Sequence, residues 1–419
     1  MSSTPFTAPP LPHQVNTTSQ HNHKTTSVAG HRVKIAGLNL PAAQSVSLPA
    51  NQKQEVLIIP SSSTPAFGSF FTIDIKNTGI ILNNIILQFQ YGTVVGSGLT
   101  GYFNPAWFHF TRIEVLQNGQ TIDTIYGNQQ FLLNQMIYYD EDRFSINQAA
   151  GQYSSTAQRT ILSSQAATNT FYIPLRTHLN QAKIHLINPT DFVQLRVYMD
   201  TLANIFYVSA GTLTSCAFNA ANVICDVTHL DQEEVNKRSM DIVQNSHHWI
   251  FHTSSYFTAT IPSGVTSATL ILASIVGNVA GLFFTLRASV VGTGAWNYYQ
   301  LASYHLLDSA SLSLVGGQPL PAALCANILN AQYCLSSYNI ETSFGANDNK
   351  ANFYVYSFST DFVDALQHGR SLGSRKFFGN EQLVLNFPSA IGSNLQLDCY
   401  AIVENVLDQS SYSIKKVSM

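Results

Sequence analysis

From Glu55 onward, hydrophobic and polar positions alternate in short runs: EVLIIP, FFTIDIK, IILNNIILQFQYG, FTRIEVLQ, TFYIPL, FVQLRVYMD and NVICDVTHL. A period of two with many β-branched and aromatic residues predicts half-buried strands. Asn77-Thr78-Gly79 and Asn118-Gly119 separate runs, and Asn-Gly is the strongest short hairpin signal. Helical spacing is scarce. One candidate follows Asn128, where Phe131, Leu132, Gln135 and Tyr138 recur at helical intervals. A second begins near Asp231, where Asp231 and Glu234 form a capping-box-like pair and Lys237 and Arg238 suit the helix C-terminus. The pattern is that of an all-β sandwich protein.

Ala268 to Leu286 is uncharged and approaches the length of a spanning helix. Its halves, TLILASIV and VAGLFFTLRASV, are rich in β-branched and aromatic residues, and Gly277-Asn278 reads as a turn between them. Two strands are expected there rather than a membrane span.

The second half repeats the first. FTRIEVLQNGQTIDTIYGNQQFLLNQMIYY, ending at Tyr139, is echoed by DSASLSLVGGQPLPAALCANILNAQYCLSSY, ending at Tyr338. Each reads as a strand, a Gly-Gln turn (Gly119-Gln120; Gly317-Gln318) and a helix-like stretch. Thr170-Phe171-Tyr172-Ile173 is echoed by Asn352-Phe353-Tyr354-Val355, and VICDVTHLDQ around Cys225 by LDCYAIVENVLDQ around Cys399. Three matches in one order, at offsets falling from about 200 to about 175 residues, indicate a duplicated domain with longer loops in the first copy. The expected division is a flexible N-terminal arm over 1–30, a first roll plus linker helix over 31–240, and a second roll over 241–419. The arm, with Pro5, Pro9, Pro10 and Pro12 among polar residues, cannot bury enough apolar surface to offset its ordering.

Composition adds a constraint. The chain has 419 residues, of which 10% are charged, against about 25% in ordinary soluble domains. Asn, Gln, Ser, Thr and Tyr cover the surface instead, which weakens repulsion between copies and suits subunits packed side by side. The net charge is −3 with Lys and Arg scattered, so the basic footprint of a nucleic-acid binder is missing. The five cysteines, Cys216, Cys225, Cys325, Cys334 and Cys399, are odd in number and lack a CxxC pair; they read as buried free thiols. MSSTPFTAPPLPHQVN lacks the features of a secretory signal, so the chain is expected to stay in the compartment where it is made.

No catalytic, cofactor-binding or metal-binding residue is expected from the sequence. Gly96-Ser97-Gly98-Leu99-Thr100-Gly101 fits G-x-G-x-x-G, but Tyr102-Phe103-Asn104-Pro105 follows where a nucleotide site needs a helix; a glycine-rich surface loop is expected. Gly369-Arg370-Ser371-Leu372-Gly373 fits G-x-S-x-G outside any α/β context. His247, His248 and His252, and the run Asp140-Glu141-Asp142, read as structural or surface groups. The one H-x-H pair, His21-Asn22-His23, lies in the arm.

Trp107-Phe108-His109-Phe110-Thr111-Arg112-Ile113-Glu114-Val115-Leu116-Gln117-Asn118-Gly119 resembles the "aromatic, then R-I-E, then N-G" passage in the first roll of the double-jelly-roll major capsid proteins of tailless icosahedral viruses, relatives in architecture of the adenovirus hexon. Phe353 to Phe387, containing FSTDFVDALQHGRSLGSRKFFGNEQLVLNF, is similar to the late strands of that family's second roll. The resemblance implies two tandem eight-stranded jelly rolls and a homotrimer whose six rolls form a pseudo-hexagonal capsomer tiling an icosahedral virion shell. It implies no enzymatic activity and no cofactor. Implied partners are other copies of the chain, minor capsid, penton or spike proteins, and an internal membrane reached by the N-terminal arm. This arm departs from the family in lacking a basic amphipathic helix. The segment from Asp140 to Thr170 is the expected outward tower. Two other readings remain open from residues alone: a tandem β-sandwich lectin or adhesin stacking sugars on Trp296, Tyr298 and Tyr299, and a cupin-like metalloenzyme.

Overall fold

The computed structural model describes residues 53–75, 79–137, 140–151, 169–181, 185–186, 192–245, 247–288, 307–314, 324–325, 353–358, 373–409 and 414–418. The described residues all belong to one compact unit. Within it stand two jelly rolls, each of two antiparallel sheets.

In the first roll one sheet runs β1 (Lys53–Pro60), β9 (Phe206–His229), β3 (Ile80–Phe103), β6 (Asn169–Leu175), and the other β2 (Phe70–Ile75), β8 (Val193–Met199), β4 (Phe110–Gln117), β5 (Gln120–Tyr126). In the second roll the sheets run β10 (His247–Ile261), β18 (Leu395–Gln409), β12 (Val276–Ala288), β15 (Phe353–Ser357), and β11 (Ser267–Ile271), β17 (Gln382–Asn386), β13 (Ser309–Ser313), β14 (Leu324–Cys325). Counting the eight main strands of each roll in chain order, both rolls pair them first-eighth-third-sixth and second-seventh-fourth-fifth, the double Greek key of a jelly roll. Even the accessory strands correspond. Between the sixth and seventh main strands, β7 (His185–Leu186) pairs with the third strand of its roll, and β16 (Arg375–Phe378) does the same in the other. β19 (Ile414–Ser418) pairs with the end of β18.

The sequence echoes fall on equivalent strands: β4 with β13, β6 with β15, β9 with β18. Cys225 stands opposite Leu57 on the first strand and Ile85 on the third; Cys399 stands opposite Phe257 and Phe284. Both thiols point into their cores, which fixes the register between copies.

Alternation decides what each sheet buries. In the first roll Ile85, Leu87, Phe89, Val223, Cys225 and Val227 face Phe71, Ile73, Ile113, Val115, Leu195 and Val197 across the sandwich. Leu282, Phe284, Leu286, Cys399, Leu383 and Leu385 do so in the second. Each such side chain is worth roughly 1.5–3 kcal/mol of transfer free energy, and a one-residue slip would turn a whole strand inside out.

Asn118 (φ 50°) and Gly119 (φ 78°) are both left-handed, the demand of a two-residue type I′ turn joining β4 to β5. The expected helices form as α1 (Gly127–Ile137) and α3 (Gln232–Asn245), with α2 (Asp140–Ala149) between them in the chain. The Asp231 carboxylate accepts the Glu234 N–H at 2.7 Å and caps α3. Glu234 turns to Arg238 at 2.5 Å instead of completing the capping box. The acidic run 140–142 opens α2, and 152–168, the rest of the expected tower, lie outside the described residues.

Two expectations are corrected. The turn within Ala268–Leu286 lies at Ala273-Ser274, and Gly277-Asn278 belongs to β12. Gly277 (φ 114°) serves a bent strand start instead, where a Cβ would come within 2.8 Å of Val403. Among the described residues no helix is long and apolar enough to cross a membrane. The Gly96–Gly101 stretch is not a loop: it is part of β3, paired with β9 between Leu213 and Val208. Twelve extended residues span about 40 Å, yet Phe103 stacks on Tyr91 at 5.2 Å. The β3/β9 ribbon therefore leaves the roll and arches back to it. Successive register shifts along this pairing produce the curvature. Glycine is required where the strands crowd, since a Cβ on Gly101 would lie 2.1 Å from the Tyr207 carbonyl oxygen.

Candidate assembly interface

The sandwich leaves one face of each first sheet pointing away from its own core, and in the second roll that face is buried by the first roll. Tyr256, Tyr400, Phe283 and Val355 form one cross-strand row on it, and Phe283, Val355, Tyr400 and Ile402 pack into the hydrophobic cluster of the first roll. Tyr400 stacks on Tyr256 at 4.9 Å, and Tyr256 meets Tyr126, the last residue of β5, also at 4.9 Å. Gln129 of α1 donates its amide N–H to the Ser254 hydroxyl, and His178 lies 5.5 Å from the ring of Phe251. The fifth strand and following helix of one roll thus seat on the outer first-sheet face of the other.

A buried ion pair locks this seam. Asp398, fully buried, takes the Arg287 Nε–H at 2.6 Å on one oxygen and the Tyr256 hydroxyl at 2.8 Å on the other. Burial and then the Asp398 charge push the Tyr256 phenol well above its ordinary pKa, so it stays a donor. On the first roll Glu114 receives Arg112 at 3.1 Å, Tyr198 OH at 3.0 Å and Arg196 at 3.4 Å, with the Arg112 guanidinium 4.0 Å above the Tyr198 ring. Arg112 stands opposite Tyr126. The R-I-E motif is thereby explained: Ile113 fills the core, while Arg112 and Glu114 hold the outer surface that leads to the seam.

The matching outer face of the first roll carries the row Ile58–Ile224–Ile86–Pro174. An amide row flanks it, in which Asn222 donates to Gln88 at 2.7 Å and Gln88 donates to the Tyr172 hydroxyl at 3.1 Å. On the other side Asn84 donates to Asp226 at 3.3 Å. Along the edge strand β1, Val56 and Ile58 are 50% and 66% exposed. Ile224 and Ile86 in that row are buried, at 7% and 3% exposure, so the strip opens to solvent along β1. The alternation in EVLIIP marks one face of β1 as buried; that the opposite face is also apolar is the signal for it.

The sequence candidates do not converge. His248 lies 3.6 Å from Asp408, and His252 is buried opposite Glu404, four residues further along β10; the His247 side chain lies outside the described residues. No group of three or more metal-ligating side chains occurs among the described residues. Cys225 and Cys399 are buried free thiols, whereas Cys216 in the ribbon is only half-buried. Burial pushes the Cys216 thiol up to about 11 and Cys225 to about 12, which leaves them protonated and poorly nucleophilic. Cys325 and Cys334 side chains, His21, His23, Trp296, Tyr298, Tyr299 and Gly369–Leu372 lie outside the described residues.

His109, in the resemblance-bearing stretch, is fully buried, with Nε2 2.6 Å from the Asn104 carbonyl and Nδ1 3.1 Å from the Tyr91 hydroxyl. A carbonyl only accepts, so Nε2 carries the proton and Nδ1 accepts from Tyr91. Burial lowers its pKa from 6.5 to about 3. Protonation thus favours the unfolded chain: the contribution of His109 is complete above about pH 6.5 and is lost as pH falls toward 3. Between pH 7 and pH 5 it is expected to remove roughly 2 kcal/mol of stability. Urea unfolding at both pH values should show a smaller drop for His109→Gln than for the wild type; equal drops would contradict this assignment.

Two rolls of identical strand order, seated face to edge in one chain, define a double jelly roll. No protein-family model and no curated protein sequence matches the chain. Among solved structures it is similar to a chain of the PBCV-1 virus capsid, at 19% identity and a TM-score of 0.65 over 88% of this chain and 97% of that one. It is similar also to the Faustovirus major capsid protein, at 10% identity and a TM-score of 0.63 over 86% and 91%. A chain of the Sputnik virophage matches at 11% identity and a TM-score of 0.60 over 94% and 93%. These likenesses establish the fold over nearly the whole length of each structure.

Proposed function

We propose that this chain is the major capsid protein of an icosahedral virus, a structural subunit without enzymatic activity that resides in the virion shell. The observation that carries this reading is the duplication itself. Two rolls of the same topology in one chain let three copies present six similar units, a pseudo-hexagonal capsomer that tiles a closed shell. The similarity to solved viral capsid chains supports it, and so does the sparsely charged surface, which permits dense packing of copies. In this reading the partners are two further copies within the capsomer, neighbouring capsomers, and minor capsid, penton or spike proteins. An internal membrane, where present, is met by the N-terminal arm.

Mass measurement of the purified full-length chain across a dilution series tests the assembly step. A species of three times the chain mass is expected. A monomer at every concentration would overturn the proposal.

A further inference from the structure

We propose that the end of the second roll formed by the β11–β12 and β16–β17 turns is a peripheral membrane-binding knob, which seats on an anionic lipid surface. This inference goes beyond the capsomer reading and does not depend on it.

Three large apolar side chains stand in water at this end. Ile271, which ends β11, is 53% exposed; Val276, which begins β12, is 57% exposed; and Phe378, which ends β16, is 54% exposed. Val276 stands opposite Phe378, and Ile271 stands opposite Gln382, the first residue of β17. The two turns therefore lie side by side. A cluster of exposed apolar side chains marks a protein or membrane contact.

The knob is held by its own backbone. The Glu381 carboxylate accepts the N–H groups of Phe378 at 2.8 Å, Gly379 at 2.9 Å and Asn380 at 3.1 Å. Across the gap, the Leu272 N–H donates to the Glu381 carbonyl at 2.9 Å. Gly379 (φ 80°) approaches the other turn so closely that a Cβ would lie 2.9 Å from the Ala273 carbonyl oxygen. Phe378 is thus fixed in an exposed position.

Charge identifies the surface it meets. Over 271–279 and 375–382 the charged residues are Arg375, Lys376 and Glu381. Both cations are exposed, whereas Glu381 is fully buried and its charge is met by three N–H groups. Exposed charge on the knob is therefore of one sign. Anionic headgroups attract basic residues while apolar side chains enter the headgroup boundary, and a fluid surface receives projecting turns without a matching pocket.

Flotation of the full chain with phosphatidylcholine vesicles, with and without phosphatidylserine, tests this. The wild type is expected to float with the phosphatidylserine vesicles and to be released by salt. Phe378→Ser should weaken that binding at least about tenfold, the worth of one buried phenyl group. Arg375→Gln combined with Lys376→Gln should remove the preference for phosphatidylserine. Phe70→Ser, at a 52% exposed position on β2, should change nothing, and thermal unfolding of each variant should match the wild type. A wild type that ignores both kinds of vesicle overturns the inference. So does Phe378→Ser that floats like the wild type, or that alters association between chains instead. A trimer without vesicle binding would overturn this inference alone, whereas a vesicle-binding monomer would overturn the capsomer reading alone.

Discussion

Arg287→Met is expected to destabilise the protein by about 3–5 kcal/mol, the cost of leaving a buried carboxylate without its charge partner. Asp398 is fully buried and holds the Arg287 Nε–H at 2.6 Å. The arginine side chain itself is about one-fifth exposed, so the loss arises almost entirely on the aspartate. A second consequence separates this from ordinary core damage. Asp398 accepts the hydroxyl of Tyr256, whose ring meets Tyr126 of the first roll. Loss of the arginine should therefore loosen the seam before either core, so that amides of β10 exchange faster than those of β2 or β8. Replacing both partners with apolar residues of similar size should recover most of the loss, because no charge is then stranded. Denaturant titration of the single and double variants checks the sign and the recovery.

Gly127→Ala is expected to cost about 3 kcal/mol or more through overpacking that no side chain can relieve. A Cβ there would lie 2.0 Å from the Trp107 carbonyl oxygen and 2.7 Å from that of Phe110, and backbone must move. Trp107 is fully buried in the first core, which leaves α1 as the element to shift. Since α1 carries Gln129, whose amide bonds Ser254, the displacement reaches the second roll. Thermal unfolding of Gly127→Ala should show a large loss, while Gly119→Ala, where a Cβ meets nothing within 4 Å and only the left-handed φ opposes it, should lose about 1 kcal/mol.

The parts of this fold that local chemistry dictates were readable from the residues. Alternation marked the strands, Asn118-Gly119 its hairpin, Asp231 its helix cap, and the Cys225/Cys399 echo the duplication. The seam between the rolls is harder to read, because it depends on both faces of a sheet. The stretch VAGLFFTLRA reads as one apolar run: Phe284 serves the second core and Phe283 the seam, and nothing in the run separates them. Arg287 and Asp398 are 111 positions apart, so no spacing rule joins them. Gly96–Gly101 misled for a different reason. Glycine signals close backbone approach as well as turns, and here it serves a bent paired ribbon. Gly277 misled in the same way, its left-handed φ serving a strand start. His109 gave no signal at all, since only the folded core shows that its two nitrogens are satisfied by Tyr91 and Asn104.

The capsomer claim is tested most directly by cryo-electron microscopy of the purified full-length protein. Particles with three-fold symmetry and six lobes of similar size, two contributed by each chain, are expected. Isolated two-lobed monomers, or dimers related by a two-fold axis, would contradict it.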